Sequence, residues 1–160
     1  MADVANTYQG WLYAENAVIG SLLIDEQAAP AILGAVSVAD VRVPNNRKIY
    51  QAARALMLEG KPVDPVLIRD KLGAAVEQYI LQLMEVTPTS ANWREYAEVM
   101  HQQASLEKIR TIAQELTQAV SVDDCREQIA ALGEILVTGK GVDAWSMRDA
   151  MQYFMASQGS

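Results

Sequence analysis

The sequence is poor in the residues that build most catalytic and metal sites. It has one histidine, His101, and one cysteine, Cys125, among 160 residues. A single cysteine excludes a disulfide within the chain and fits a reducing, cytoplasmic compartment. A single histidine excludes metal sites built from several histidines. We interpret His101 as a surface residue of a helix and Cys125 as a partly buried thiol, rather than as a general base and a nucleophile.

Glycine and proline are also scarce, with nine and five residues. Alanine, leucine, glutamine, glutamate and methionine are abundant, and these residues favour helix. We find neither the alternation typical of strands nor an apolar run near the ~18 residues that span a bilayer. The first residues lack the basic flank and apolar core of a signal peptide. The sequence therefore predicts an all-α protein without a membrane segment.

No nucleotide-binding loop is encoded. Gly-Lys pairs occur at residues 60–61 and 139–140. A P-loop also needs a glycine five positions before the glycine of such a pair, and Ser or Thr directly after its lysine. Ala55 and Pro62 stand at those positions of the first pair, and Glu134 and Gly141 at those of the second. We therefore expect no cofactor, no metal and no catalysis by this chain.

The charge balance argues against a stand-alone nucleic-acid-binding protein. The net charge is −7, whereas affinity for nucleic acid comes largely from Lys and Arg that neutralise phosphates. The most basic segment contains Arg42, Arg47, Lys48 and Arg54. A solvated helix face is the favoured interpretation of this segment, and contact with DNA is the alternative.

Breaks in the helical pattern predict four segments. They are a flexible lead-in at 1–11, a helical head at 12–89, a helical hairpin at 90–138, and a linker with an amphipathic helix at 139–160. The long helix is expected to start at Ser90 or Asn92 and to run to about Val120. Asp123 or Asp124 then caps a second helix, so the two should fold back as an antiparallel pair.

Four positions in the head carry specific expectations. The first helix, Leu12 to Ile24, contains Gly20, which indicates close approach by another helix. Asp25 is the expected N-cap of a second helix, and Asn45 or Asn46 that of a third. Asp64 followed by Pro65 predicts the start of a fourth helix.

Two sets of apolar residues are candidates for protein interaction. Trp93 and Tyr96 either form an exposed binding site or pack the hairpin against the head, and packing is the favoured interpretation. In the linker, Met147, Met151, Phe154 and Met155 recur at helical spacing after a Gly-Lys-Gly break. We expect this segment to dock onto a partner surface, with folding back onto its own head as the alternative.

Five segments, in order, resemble the N-terminal domain of DnaB-family replicative DNA helicases. Residues 15–25 read E-N-A-V-I-G-S-L-L-I-D, which is similar to the family's E-x-x-V-L-G-x-L-L-L-D. N-R-K-I-Y at 46–50 is similar to H-R-x-I-F, and G-K-P-V-D at 60–64 to G-x-P-I-D. Y-I-L-Q-L at 79–83 and the T-P-T-S-A-N-W-R-E-Y-A run from Thr87 complete the set. The resemblance covers about residues 12 to 137.

The resemblance implies a non-catalytic collar domain. Six copies would form a trimer of dimers on a hexameric, ATP-dependent helicase whose ATPase domain this chain lacks. The hairpins would receive a DnaG-type primase, and the linker helix would contact a neighbouring ATPase domain. Direct binding of nucleic acid is not expected; the alternative is a free-standing replication accessory protein that binds nucleic acid. The residues expected to mediate self-association or primase docking are Trp93, Tyr96, Ile109, Arg110, Ile112, Leu116 and Glu127.

Overall fold

The computed structural model describes residues 8–138, which form an all-α fold. No strand occurs in this part of the chain. Short 3-10 helices at Val38–Asp40 and Ala74–Val76 join some of the α-helices. The α-helices are α1 (Tyr8–Ile24), α2 (Ala29–Ala35), α3 (Pro44–Leu58), α4 (Pro65–Leu72), α5 (Glu77–Glu85), α6 (Trp93–Thr117) and α7 (Val122–Thr138). None of the described helices is long and apolar enough to cross a membrane.

The chain divides into two compact units between Met100 and His101, inside α6. We refer to described residues 8–100 as the N-terminal unit and to residues 101–138 as the C-terminal unit. Trp93, Ala97 and Met100 belong to the buried core of the N-terminal unit. The first turns of α6 are thus part of that core, whereas the sequence pattern assigned them to a hairpin beginning at residue 90.

The core of the N-terminal unit is built around α1. Val18, Ile19 and Leu22 of this helix are completely buried, and α1 contacts α2, α3 and α5. The hydroxyl of Tyr50 lies within hydrogen-bonding distance of the carbonyl oxygens of Leu33 and Val36, which joins α3 to the end of α2. Apolar burial of this kind contributes about 25 cal/mol per Å² removed from water.

Several predicted helix ends are confirmed by their geometry. Asp64 caps α4, because its Oδ1 accepts hydrogen bonds from the backbone N–H groups of Val66 at 2.7 Å and Leu67 at 3.2 Å. Pro65 occupies the first turn. Gly60 and Gly73 have φ angles of 73° and 96° after α3 and α4, a backbone conformation in which glycine avoids the Cβ clash.

Other predicted starts are wrong. The third helix begins at Pro44 rather than after an asparagine cap, and no side chain of the preceding residue caps it. Asn46 is fully buried inside that helix, where it serves the network described below. The first helix begins at Tyr8, four residues before the predicted Leu12.

The starts of α2 and α7 also differ from the predictions. Asp25 accepts hydrogen bonds from the N–H groups of Gln27 and Ala28, both at 3.1 Å, but α2 begins only at Ala29. At α7, Ser121 provides the cap, because its Oγ accepts from the Asp124 N–H at 3.2 Å. An aspartate cap was predicted there. A serine hydroxyl serves equally well, so both choices satisfied the sequence pattern.

The expected close approach at Gly20 is confirmed. A Cβ atom built on Gly20 would lie 1.9 Å from Oγ1 and 2.7 Å from Cβ of Thr87. Thr87 follows α5 and donates its hydroxyl to the Leu83 carbonyl at 2.7 Å. The absence of a side chain on α1 therefore lets this end of α5 pack directly against the helix backbone.

Candidate functional site

A buried polar network connects α1, α3 and α5. The Glu15 side chain, fully buried, accepts hydrogen bonds from the backbone N–H of Arg42 at 3.1 Å and of Val43 at 2.9 Å. Its Oε1 also accepts from Nδ2 of Asn46 at 3.2 Å. The hydroxyl of Tyr79 donates to Oδ1 of Asn46 at 2.7 Å. Glu15 thus binds, from α1, the two N–H groups just before α3 and the side chain of Asn46 inside that helix.

Burial and hydrogen bonding act in opposite directions on the pKa of Glu15. Burial raises the pKa of Glu15 above its ordinary value of 4.5, while hydrogen bonds from Val43, Arg42 and Asn46 act in the opposite direction. A negative group at the start of a helix also interacts favourably with the helix dipole. All partners of the Glu15 oxygens are N–H donors. The arrangement orients helices and places no reactive group at a surface, so its role is structural.

Arg42 stands apart from the rest of the basic segment. Its guanidinium lies 4.2 Å from the centre of the Trp11 ring, a cation–π contact. The sequence placed Trp11 in a loose lead-in, but its side chain is 5% exposed. The signal that sequence reasoning missed was the indole itself, since a tryptophan before a predicted helix is rarely left in solvent.

The remaining cations of the segment share one face of α3. Arg47, Lys48 and Arg54 are exposed, as is Gln51 between them. We call these four residues the α3 basic face. The Nε of Arg47 donates to the carbonyl of Val41 at 2.9 Å, so its side chain is held in place.

Trp93 and Tyr96, predicted as interaction or packing residues, lie in the N-terminal unit. Trp93 is 7% exposed and belongs to the core of the N-terminal unit. Tyr96 is half-buried, and its ring meets that of Tyr13 edge to face with centres 5.7 Å apart. Tyr13 is 63% exposed and was not among the candidates.

The other hairpin candidates lie in the C-terminal unit. Ile112 is buried, Ile109 and Leu116 are half-buried, and Arg110 and Glu127 are exposed. Several further apolar residues of this unit, which were not among the candidates, are strongly exposed. They are Val120, Val122, Ile129 and Leu136, with exposed fractions of 94%, 71%, 53% and 61%.

On α7 the apolar residues follow one line. Ile129, Leu132 and Leu136 recur at the three- and four-residue spacing that places side chains on the same side of a helix. Leu132 is half-buried. We call these three residues the α7 apolar stripe. The four linker candidates Met147, Met151, Phe154 and Met155 lie outside the described residues.

Chemistry-bearing side chains are dispersed in the described region. No group of three or more His, Cys, Asp or Glu side chains that could hold a metal occurs between residues 8 and 138. His101 is half-buried on α6 and has an interaction partner. Cys125 is half-buried in the first turn of α7.

Comparison with known proteins bears directly on this arrangement. The sequence profile described as the DnaB-like helicase N terminal domain matches residues 10–102. The chain belongs to this family. The matched region contains all of α1 except its first residues, the buried network, the Gly20–Thr87 contact and the start of α6. The matched region thus includes the residues that hold these helices together.

Longer relatives agree with the family assignment, and a solved structure shares the fold. The chain is 28% identical over 114 residues to the replicative DNA helicase DnaB of Leifsonia xyli, and 27% identical over 118 residues to that of Geobacillus stearothermophilus. These matches cover 67% and 66% of this chain, and the chain spans 25% of each relative's length. The fold matches the N-terminal domain of DnaB helicase from Mycobacterium tuberculosis with a TM-score of 0.69, at 22% identity. That match covers 77% of this chain and 96% of the M. tuberculosis chain.

Proposed function

We propose that this chain is a non-catalytic assembly domain, or collar, of a hexameric replicative DNA helicase in the cytoplasm. The family match over residues 10–102 carries the proposal. Its roles are self-association, as dimers that build a hexamer, and docking of a DnaG-type primase. ATP hydrolysis and unwinding belong, in this proposal, to an ATPase domain that residues 1–160 do not include. The relatives named above are replicative DNA helicases, four times as long as the part they share with this chain.

The α7 apolar stripe supports self-association. Isolated apolar side chains on a surface are common, but a line of them over two helical turns is typical of an interface. Closed symmetric dimers use the same surface patch of both copies, so one stripe can serve both partners. Arg110 and Glu127, exposed on α6 and α7, are the proposed polar contacts to primase.

Introducing a charge into the stripe is expected to dissociate the assembly. Ile129→Glu would bury a carboxylate against an apolar partner surface, which costs far more than leaving it in water. We expect light scattering to give a multiple of 17.5 kDa for the parent chain at high concentration. The variant should approach the monomer mass. Leu116→Glu on α6 is expected to act in the same direction.

Ala130→Glu provides the matched control. Ala130 is also exposed on α7, but it lies off the stripe, so this variant should retain the parent's mass. Far-ultraviolet circular dichroism establishes that all variants keep their helix content. A parent chain that stays monomeric at high concentration, or an Ile129→Glu variant with unchanged mass, would contradict self-association through α7.

The linker segment is proposed to dock onto a neighbouring subunit through Met147, Met151, Phe154 and Met155. Short amphipathic helices are marginal in water and gain stability only when their apolar side is covered. Deleting residues 142–160 should therefore change the melting temperature of the remaining chain by less than about 2 °C. This shift corresponds to a change of ~0.5 kcal/mol in the free energy of unfolding. Differential scanning calorimetry measures this change. A drop of about 10 °C would show that the segment belongs to the chain's own core.

A further inference from the structure

The α3 basic face differs in charge from the rest of the protein. Helix α3 carries Arg47, Lys48 and Arg54 and contains no Asp or Glu, although the whole chain has a net charge of −7. The positions of Arg47, Gln51 and Arg54 are separated by four and three residues, so their side chains align along the helix. Leu58 continues the same line at the end of α3 and is 76% exposed. A row of cations therefore leads to an uncovered leucine.

The charges of this face are not neutralised within the described structure. None of Arg47, Lys48 and Arg54 forms an ion pair with a carboxylate between residues 8 and 138. The contrast with the adjoining loop is clear, because Glu59 is paired with Lys61 at 3.1 Å and with Lys71 at 2.7 Å. The nearest acidic residue of that loop is thus already occupied by two lysines.

The stability of α3 does not account for these cations. Arg47 and Lys48 lie close to the start of the helix, where positive charge opposes the helix dipole. The helix has no acidic residue at a spacing of three or four that could compensate. Asp40, shortly before α3, is buried and has interactions of its own. The described chain thus provides no carboxylate partner for these cations.

We propose that the α3 basic face binds an acidic segment of a partner protein in which carboxylates are interspersed with apolar residues. Arginine and lysine side chains spread over about 10 Å of helix match several carboxylates of an extended peptide. Leu58 offers an apolar contact at one end. Arg47, fixed by Val41, loses little conformational freedom on binding. This site lies in the N-terminal unit and is independent of the α7 apolar stripe, so either can fail alone.

Nucleic acid fits the same surface less well. Proteins that bind single strands combine cations with exposed aromatic rings on which bases stack. The aromatic residue of α3, Tyr50, is buried. A chain with a net charge of −7 also repels a long polyanion more strongly than a short peptide with a few carboxylates.

Fluorescence anisotropy with a labelled peptide that repeats the triplet Asp-Asp-Leu tests the proposal. We expect the full chain to bind it at about 50 mM salt and to lose most of the affinity by about 200 mM, as contacts between exposed charges are screened. The double variant Lys48→Gln, Arg54→Gln should bind about tenfold more weakly, because exposed ion pairs contribute up to about a factor of five each. Leu58→Ser should weaken binding about threefold without changing the salt dependence.

Three controls make the outcome decisive. Arg126→Gln removes one exposed cation from α7, where it pairs with Asp123 at 3.3 Å, and should leave peptide binding within about twofold of the parent. A peptide with asparagine in place of aspartate should not bind. Anisotropy with a labelled single-stranded oligothymidylate measures the affinity of the chain for nucleic acid.

Each alternative result overturns the proposal. Tighter binding of the oligothymidylate than of the acidic peptide, lost in the double variant, would make the face a nucleic-acid site. An equal loss of peptide affinity in Arg126→Gln would show that the effect reflects the overall charge of the chain rather than this face. Absence of peptide binding at low salt would show that the face is not a binding site. Lys48 and Arg54 are exposed, so the melting temperatures of the variants should match the parent's.

Discussion

Replacing Glu15 by alanine is expected to lower the free energy of unfolding by about 3 kcal/mol or more, since each buried polar group left without a partner costs ~1–3 kcal/mol. The substitution removes the acceptor for the N–H groups of Arg42 and Val43. It also releases one N–H of Asn46. For a chain of this size the melting temperature should fall by about 10 °C, measured by circular dichroism during heating and by urea titration.

Glutamine at the same position is the informative comparison. Oε1 accepts from Val43, Arg42 and Asn46, whereas Oε2 only shares the Arg42 N–H at 3.2 Å. Glu15→Gln keeps an oxygen at the Oε1 position, so it should be much less destabilising than the alanine variant. If both variants were equally stable, or if alanine were tolerated, the network would not organise the start of α3.

The glutamine variant should also change the pH dependence of stability. Burial raises the pKa of Glu15 above its ordinary value of 4.5. Just above pH 4.5 the folded chain therefore holds a proton that the unfolded chain has released. The free energy of unfolding falls as pH rises through this window, and Glu15 contributes no further pH dependence above the raised pKa. Glu15→Gln lacks this component, and urea titrations across the acidic range measure it as the difference between the two proteins.

Replacing Gly20 by alanine is expected to destabilise the N-terminal unit by about 2 kcal/mol, because overpacking a core costs ~1–3 kcal/mol and exceeds the helix-propensity gain of alanine. The added Cβ would meet Oγ1 of Thr87 at 1.9 Å and its Cβ at 2.7 Å. Rotation of the threonine side chain cannot remove the second contact, so the backbone near Thr87 or α1 has to move. Urea titration followed by circular dichroism gives the change in stability.

Gly34→Ala is the matched control with the opposite expected sign. Gly34 lies within α2, and no atom lies within 4 Å of its added Cβ. This variant should be as stable as the parent or more stable by up to ~1 kcal/mol. Thr87→Gly removes all three atoms closest to the new Cβ, so the double variant with Gly20→Ala should be less destabilised than the sum of the single changes. Additive effects, or a stable Gly20→Ala variant, would contradict the close contact.

Local signals were sufficient where a residue acts on its immediate neighbours. Asp64 and Pro65 were predicted to begin α4 and do so, because capping depends on a few adjacent atoms. The pattern of apolar spacing likewise predicted an all-α chain. The five segments that resemble the family predicted that the chain is a member, because they keep their order and spacing along the chain.

Predictions that depended on distant neighbours were less accurate. Asparagine is typical of helix caps, and Asn46 precedes an apolar stripe, yet it lies inside α3, where its side chain binds Glu15, 31 residues earlier. Trp93 and Tyr96 look alike in sequence, but one is in the core and the other is half-buried against Tyr13. The exposed side chains of the α7 apolar stripe could not be distinguished from core residues by periodicity, because a helix covered by its own chain and one awaiting a partner show the same spacing.

The sequence by itself determined the helical fold class, the family, the start of α4 and the special role of Gly20. Each of these follows from backbone preference, capping or side-chain size acting over a few residues. Only the tertiary structure decided that Glu15 binds the backbone before α3, that Trp11 contacts Arg42, and that α6 begins within the core of the N-terminal unit. It also decided which charged and apolar faces remain uncovered. The reason is physical: burial and hydrogen-bond partners are set by segments far apart in the chain, and no local pattern records which of them will meet.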